Sequence, residues 1–152
     1  METEHIHLIR QKLTNLTAYV DELAPYLLVS YREYREMSGR QRIVERLAQV
    51  IVECAIDTNG MLLIDAGQPP ARSARQSFEA IHRLGIIDEH LLSRFQRYVG
   101  MRNRIVHDYD RLDSRILFHS AQRLLDDARV YVVQVHGYLE ANGEAGGEAT
   151  HS

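Results

Sequence analysis

The chain has 152 residues and a formal net charge of −3, with 45% hydrophobic and 26% charged residues. These values are typical of one globular domain that is large enough to bury a core. No run approaches the roughly 18 consecutive apolar residues of a membrane span. The start, residues 1–5, lacks the basic and apolar regions of a signal peptide. We therefore expect a cytoplasmic protein that does not contact the membrane.

The first half of the chain predicts two long helices. Apolar residues follow a 3-4 spacing from Ile6 to Leu27, which draws one stripe along a helix. Pro25 is predicted to kink or end this helix, and a further helical stretch reaches Met37, with Ser38-Gly39 as its stop. The second long helix is predicted over residues 41–65, before a break at Gly67-Gln68-Pro69-Pro70.

The second half predicts three more helices. One runs from about Ser73 to Leu84, and Asp88 is the predicted N-cap of the next. Asp113 or Ser114 is predicted to cap the last helix. No stretch alternates with the period of a strand. The sequence therefore predicts an all-α, antiparallel bundle of four to five helices over residues 1–140, followed by a disordered tail over residues 141–152.

Arginine is concentrated in one part of this acidic chain. Residues 94–115 contain six arginines and three acids, whereas Lys12 is the only lysine. Arginine suits the recognition of phosphate because its guanidinium is a planar fork of donors. A bias in base composition of the genome would give the same preference for arginine.

The segment from Arg102 to Tyr109 contains the residue types needed for phosphodiester chemistry. RNA is cleaved without metal when a base takes the proton of the 2′-hydroxyl and an acid protonates the leaving 5′-oxygen. His107 is the candidate for the base or the acid, and Arg102 is the candidate for binding phosphate and stabilising the transition state. Asn103 and Arg104 are candidates for orienting the substrate. A solvated helix end is the alternative interpretation.

The spacing of the catalytic candidates sets a geometric condition. On a regular helix Arg102 and His107 point about 140° apart, so they do not converge. Either the helix ends or distorts near His107, or a second copy of the chain completes the site. A two-fold dimer would bring two such pairs to one cleft.

The segment also resembles a known family. Arg102, His107 and Tyr109 match the R-x4-H-x-Y form of the HEPN signature found in HepT-like toxins, and the similarity extends over residues 30–140. The resemblance implies a helical homodimer acting as a metal-independent ribonuclease, with Arg102 and His107 as its catalytic residues. It also implies a type VII-like toxin–antitoxin module, in which a minimal nucleotidyltransferase antitoxin transfers AMP to Tyr109.

Two alternatives to a nuclease remain. The chain could be a non-catalytic HEPN module that binds a nucleotide or a partner protein, or a purely structural bundle. Neither metal nor cofactor is expected. Glu79-x-x-His82 has the spacing of a di-iron bundle, but such a site needs a second pair, and the other match, Glu2-x-x-His5, lies at the start of the chain, where we expect the helix to fray.

Overall fold

The computed structural model describes the backbone of residues 2–151 and the side chains of residues 4–37 and 39–143. It contains six α-helices and two short 3₁₀ helices. The α-helices are α1 (Glu2–Leu23), α2 (Tyr31–Glu36), α3 (Ser38–Asp65), α4 (Ala74–Arg83), α5 (Glu89–His107) and α6 (Ser114–His151); the 3₁₀ helices are Ala24–Leu27 and Tyr109–Arg111.

The all-α prediction is confirmed over the residues that the structure describes. Five helices have ten residues or more, and the sixth is α2, with six. Pro25 ends α1 as predicted, because the chain tightens into a 3₁₀ turn where proline removes a backbone donor. The predicted stop at Ser38-Gly39 is wrong, since α3 begins at Ser38. The break before it falls at Met37, which leaves the helical region at φ −100° and ψ 73°.

Local capping explains where the helices of the second half begin. The side chains of Ser73 and Asp88 each accept a hydrogen bond from the backbone N–H three residues later, at Gln76 and Leu91. The Asp113 carboxylate accepts from two N–H groups in the first turn of α6, so Asp113 rather than Ser114 is the cap.

Helix α3 is central to the bundle and packs against α1, α4, α5 and α6. By length and composition α3 is apolar enough to cross a membrane, because residues 39–65 contain an 18-residue window with a mean hydropathy of 1.5. However, 56% of that window is buried inside the protein. This burial is typical of the core helix of a bundle. The bundle is further joined by the Tyr131 hydroxyl, which donates to Asn59 over 2.6 Å, while Asn59 donates to Ser77 over 3.1 Å.

The final helix extends beyond the predicted end of the domain. Its backbone stays helical to His151, where the sequence predicts a disordered tail over residues 141–152. A helix satisfies its backbone hydrogen bonds internally, so it can continue past the last residues that pack on the core. Among the side chains of α6 that the structure describes, Leu139 is the last buried one. Side chains from Glu144 onward lie outside the described residues, and the domain boundary at residue 140 stays a prediction.

Candidate functional site

The candidate site lies at the C-terminal end of α5. The helix remains regular through His107, and the Asp108 N–H donates to the Arg104 carbonyl over 3.0 Å as the chain leaves the helix. The next residues form the Tyr109–Arg111 turn. The helix therefore ends at His107, which is one of the possibilities that the spacing of Arg102 and His107 left open. It does not distort between these two residues. Their directions on α5 still differ by about 140°.

Arg102 faces α3. Its Nε lies 3.5 Å from Glu53 Oε1, and its Nη1 donates to Asn103 Oδ1 over 2.9 Å. Glu53 in turn accepts a 2.7 Å hydrogen bond from Gln49 one turn earlier on α3. The Arg102 Nε is buried and has no hydrogen-bond partner among the described residues. Its contact with Glu53 is therefore an attraction between charges at ion-pair distance rather than a hydrogen bond.

Tyr109 also faces α3, two helical turns away from Arg102. Its hydroxyl donates to the Glu45 carboxylate, with oxygen–oxygen distances of 2.9 and 3.2 Å. Glu45 is only 8% exposed, whereas Tyr109 is 53% exposed. The hydrogen bond to Glu45, then burial and the charge of the same carboxylate, raises the pKa of Tyr109, and Arg42 partly opposes this shift.

A second phenol lies close to this carboxylate. Tyr34 is 1% exposed and its hydroxyl has no hydrogen-bond partner among the described residues. Burial, followed by the charges of Glu45 and Tyr109, raises the pKa of Tyr34 well above its usual range. Both phenols are thus held in the neutral form around one carboxylate.

Arg104 and His107 point elsewhere. Both are exposed, and Arg104 lines a cleft of about 720 Å³ between α5 and α6. The structure therefore divides the predicted residues by direction. Arg102 and Tyr109 contact α3, Asn103 holds the Arg102 guanidinium, Arg104 faces the cleft, and His107 is exposed at the helix end.

Sequence reasoning missed the α3 side of the site. Glu45, Gln49 and Glu53 are spaced four residues apart, so they form a polar stripe along one side of α3. That stripe was visible in the sequence. The residues that this stripe contacts could not be predicted, since Glu53 and Arg102, for example, are 49 positions apart in the chain. Among the side chains that the structure describes, no group of three or more His, Cys, Asp or Glu residues could hold a metal ion.

Comparison with known proteins gives one consistent result. Residues 16–135 match the family described as Ribonuclease HepT-like. The chain is 29% identical over 132 residues to a tRNA nuclease HepT of Aphanizomenon flos-aquae, covering 87% of this chain and 90% of the relative.

Solved structures show the same fold. The tri-AMPylated Shewanella oneidensis HEPN toxin, in complex with its MNT antitoxin, superposes with a TM-score of 0.77 at 22% identity, covering 85% of this chain and 96% of that one. YutE, a cytosolic protein of unknown function from Bacillus subtilis, gives a TM-score of 0.72 at 14% identity, covering 88% and 92%. The match over residues 16–135 spans most of the chain and includes the whole Arg102–Tyr109 segment, and the chain accordingly belongs to the Ribonuclease HepT-like family.

Proposed function

We propose that the chain is the toxin of a type VII-like toxin–antitoxin module in the cytoplasm and that it cleaves RNA without a metal ion. The observation that carries the proposal is the family match over residues 16–135, which includes Arg102, His107 and Tyr109 in the R-x4-H-x-Y spacing. Membership of a ribonuclease family supports the reaction class. The chemistry of the side chains on α5 and the geometry of that helix support the role of each residue.

In the proposed reaction, the 2′-hydroxyl of RNA attacks the adjacent phosphorus and the bond to the 5′-oxygen breaks. His107 accepts the hydroxyl proton or protonates the leaving oxygen. Arg102 binds the phosphate and stabilises the charge that develops on its oxygens. The products are a 2′,3′-cyclic phosphate and a free 5′-hydroxyl. Asn103 and Arg104 orient the substrate.

The proposal includes a homodimer. Arg102 is turned to α3 and His107 is exposed at the end of α5, with about 140° between their directions. One copy of the chain therefore does not aim both groups at one phosphate. Two copies related by a two-fold axis through the α5 ends would supply two histidines, one as base and one as acid.

We further propose regulation at Tyr109 by a minimal nucleotidyltransferase antitoxin. The Tyr109 oxygen attacks the α-phosphorus of ATP, pyrophosphate leaves, and the phenolic proton is released. Exposure supports this assignment, because Tyr109 is 53% exposed and lies on a short turn rather than in the core. The added phosphodiester places negative charge and bulk beside the site and would repel RNA.

Cleavage of a labelled RNA in EDTA tests the nuclease. We expect the parent to form a cyclic phosphate end, and His107→Ala and Arg102→Ala to lose most of this activity while remaining folded. His90→Ala is the matched control, because His90 is an exposed histidine at the other end of α5, about 25 Å away. Equal cleavage by His107→Ala and the parent would refute the assignment. A folded parent that never cleaves RNA would favour the non-catalytic module.

Intact mass after co-expression with the antitoxin tests the modification. We expect a gain in whole AMP units that is absent in Tyr109→Phe. Tyr138→Phe is the control, because Tyr138 is a partly buried tyrosine on α6 and is expected to leave the gain intact. Neutralised toxicity with unchanged mass would contradict modification and indicate inhibition by binding alone.

A further inference from the structure

The cleft between α5 and α6 gathers an unusual concentration of positive charge. It measures about 720 Å³, and its lining includes six guanidinium groups and one carboxylate. The six are Arg75, Arg97, Arg104, Arg111, Arg115 and Arg123. The chain as a whole has a net charge of −3, so this face differs in sign from the rest of the protein. Like charges repel, and an anion in the cleft relieves that repulsion.

These arginines are available to a ligand. Among the described residues, none of the six except Arg111 forms an ion pair; Arg111 Nε lies 3.7 Å from Asp108. All six are exposed. Asp113, the carboxylate in the described lining, already accepts hydrogen bonds from two N–H groups as the cap of α6. The guanidiniums therefore keep their donors for an incoming group.

Four separate segments bring the arginines together. Arg75 reaches the cleft from α4. Its guanidinium lies against α5 at Gly100, where a Cβ atom added to the glycine would be 3.5 Å from Arg75 Nη2. Arg97 comes from α5. Arg111 belongs to the turn after His107, and Arg115 and Arg123 come from α6. The Arg115 guanidinium lies 4.7 Å from the centre of the Tyr31 ring, which fixes its position by a cation–π contact.

The arginines that α5 contributes to the cleft follow the helix towards His107. On a regular helix Arg97 and Arg104 point within about 20° of each other, and His107 lies about 60° from Arg104. Arg97 is about 15 Å from His107 along the axis. An extended chain of phosphates that follows the cleft would thus reach the end of α5 where the proposed cleavage occurs.

The lining also offers surfaces for bases. His119 is exposed at the cleft, and Ile116 is 58% exposed beside it. Guanidinium planes and aromatic rings such as imidazole are the groups on which unpaired bases stack, and an exposed apolar side chain adds a nonpolar surface beside them. Charge for the backbone and surfaces for bases occur together in this cleft, which favours a nucleic acid over a small anion.

We propose that this cleft binds single-stranded RNA on one side of the scissile phosphate, with Arg75, Arg97, Arg115 and Arg123 contacting the backbone. The proposal rests on the ribonuclease function proposed above and assigns part of its substrate-binding surface. It uses arginines that lie outside the catalytic segment. The cleft is a binding surface, so these arginines are expected to change substrate affinity and leave the chemical step unaltered.

Binding is tested in the His107→Ala background, which we expect not to cut the probe. The probe is a fluorescent 20-nucleotide single-stranded RNA, measured by anisotropy between 50 and 200 mM NaCl. We expect Arg97→Gln/Arg123→Gln to weaken binding on the order of tenfold. The slope of log K against log salt should become shallower by about 1.4, since each phosphate contact on a single strand contributes about 0.7.

The matched control is Arg32→Gln/Arg35→Gln, which removes two exposed charges from α2. Both double variants change exposed residues, so both are expected to fold with the parent's Tm. Identical affinity and slope for the cleft variant and the parent would overturn the proposal. Equal losses in both double variants would also overturn it, because they would show a general charge effect. Parent-like RNA binding by the cleft variant together with lost antitoxin binding would instead make the cleft a partner surface.

Cleavage by the chain with His107 intact separates this proposal from the function on which it rests. We expect Arg97→Gln/Arg123→Gln to raise KM for the 20-nucleotide RNA with little change in kcat, and to cleave a dinucleoside monophosphate at the parent's rate. That short substrate does not extend along the cleft. A parent that cleaves neither substrate refutes the ribonuclease, whereas a variant with parental KM on the long RNA refutes only the cleft.

Discussion

Two tyrosines near one buried carboxylate provide a sharp test of the site's energetics. Tyr109 donates to Glu45, whereas the buried hydroxyl of Tyr34 has no partner among the described residues. Replacing Tyr109 by phenylalanine therefore removes a hydrogen bond, whereas replacing Tyr34 by phenylalanine removes a buried hydroxyl that has no hydrogen-bond partner. We expect Tyr109→Phe to destabilise the fold and Tyr34→Phe to stabilise it.

The magnitudes follow from burial. A hydrogen bond to a charged group contributes about 1.5 to 3 kcal/mol, and an unsatisfied buried polar group costs about 1 to 3 kcal/mol. Tyr109 is 53% exposed, so water can replace part of its bond to Glu45. We therefore expect a loss of about 1 kcal/mol for Tyr109→Phe and a gain of about 1 kcal/mol for Tyr34→Phe. In a chain of this size each corresponds to a change in Tm of about 2 to 4 °C.

Urea unfolding, followed by circular dichroism at one fixed protein concentration, measures both changes. The fixed concentration matters because association would shift the apparent stability. Tyr109→Phe should also cleave RNA like the parent, since the phenol has no part in the proposed chemistry. A Tyr34→Phe variant that is less stable than Tyr109→Phe would refute this account of the two hydroxyls.

Three further predictions concern the turn, alkaline stability and the helix cap. AMP on Tyr109 removes its donor and places negative charge beside Glu45, so hydrogen exchange in residues 109–111 should accelerate relative to the unmodified protein. Burial raises the pKa of Tyr131 above the value of about 10 for a tyrosine in the unfolded chain. Its contribution to the stability of the fold is therefore complete below about pH 10 and is lost as the pH rises further. The urea midpoint should accordingly fall above about pH 10. Asp88 is the N-cap of α5, so Asp88→Ala should cost about 1 kcal/mol at pH 7. The Leu91 N–H, then Gln134, lowers the pKa of Asp88, so this difference from the parent should shrink below about pH 4.

The helices were predictable because each signal acts over a few residues. Apolar spacing sets the buried face, and caps such as Ser73 and Asp88 bond to N–H groups three positions away. The error at Ser38 arose because serine and glycine can either end one helix or begin the next. The break falls at Met37, and methionine has no strong preference for helix ends, so no local signal marks this position.

The site was only half predictable for a different reason. The Arg102–Tyr109 segment is continuous and its side chains could be named, and their divergence on α5 followed from helix geometry. Glu45 and Glu53 contact the segment across 64 and 49 positions, respectively, and such pairings depend on how α3 packs against α5. The excess of arginine in residues 94–115 likewise indicated positive charge, but Arg75 and Arg123 lie outside that window and join the cleft only through the fold.

The position of Tyr109 raises the question of how a modification there would inhibit the proposed nuclease. The group itself could block RNA, or the Tyr109–Arg111 turn could leave α3 and displace Arg111 from the cleft. Glu45→Ala separates these routes, because it removes the turn's anchor without adding AMP. Arg102 and His107 both belong to the continuous helix α5, which does not depend on the turn. We therefore expect Glu45→Ala to cleave RNA within about twofold of the parent, while AMP on Tyr109 abolishes cleavage. Loss of cleavage in a folded Glu45→Ala protein would contradict inhibition by the group itself and assign the effect to the turn.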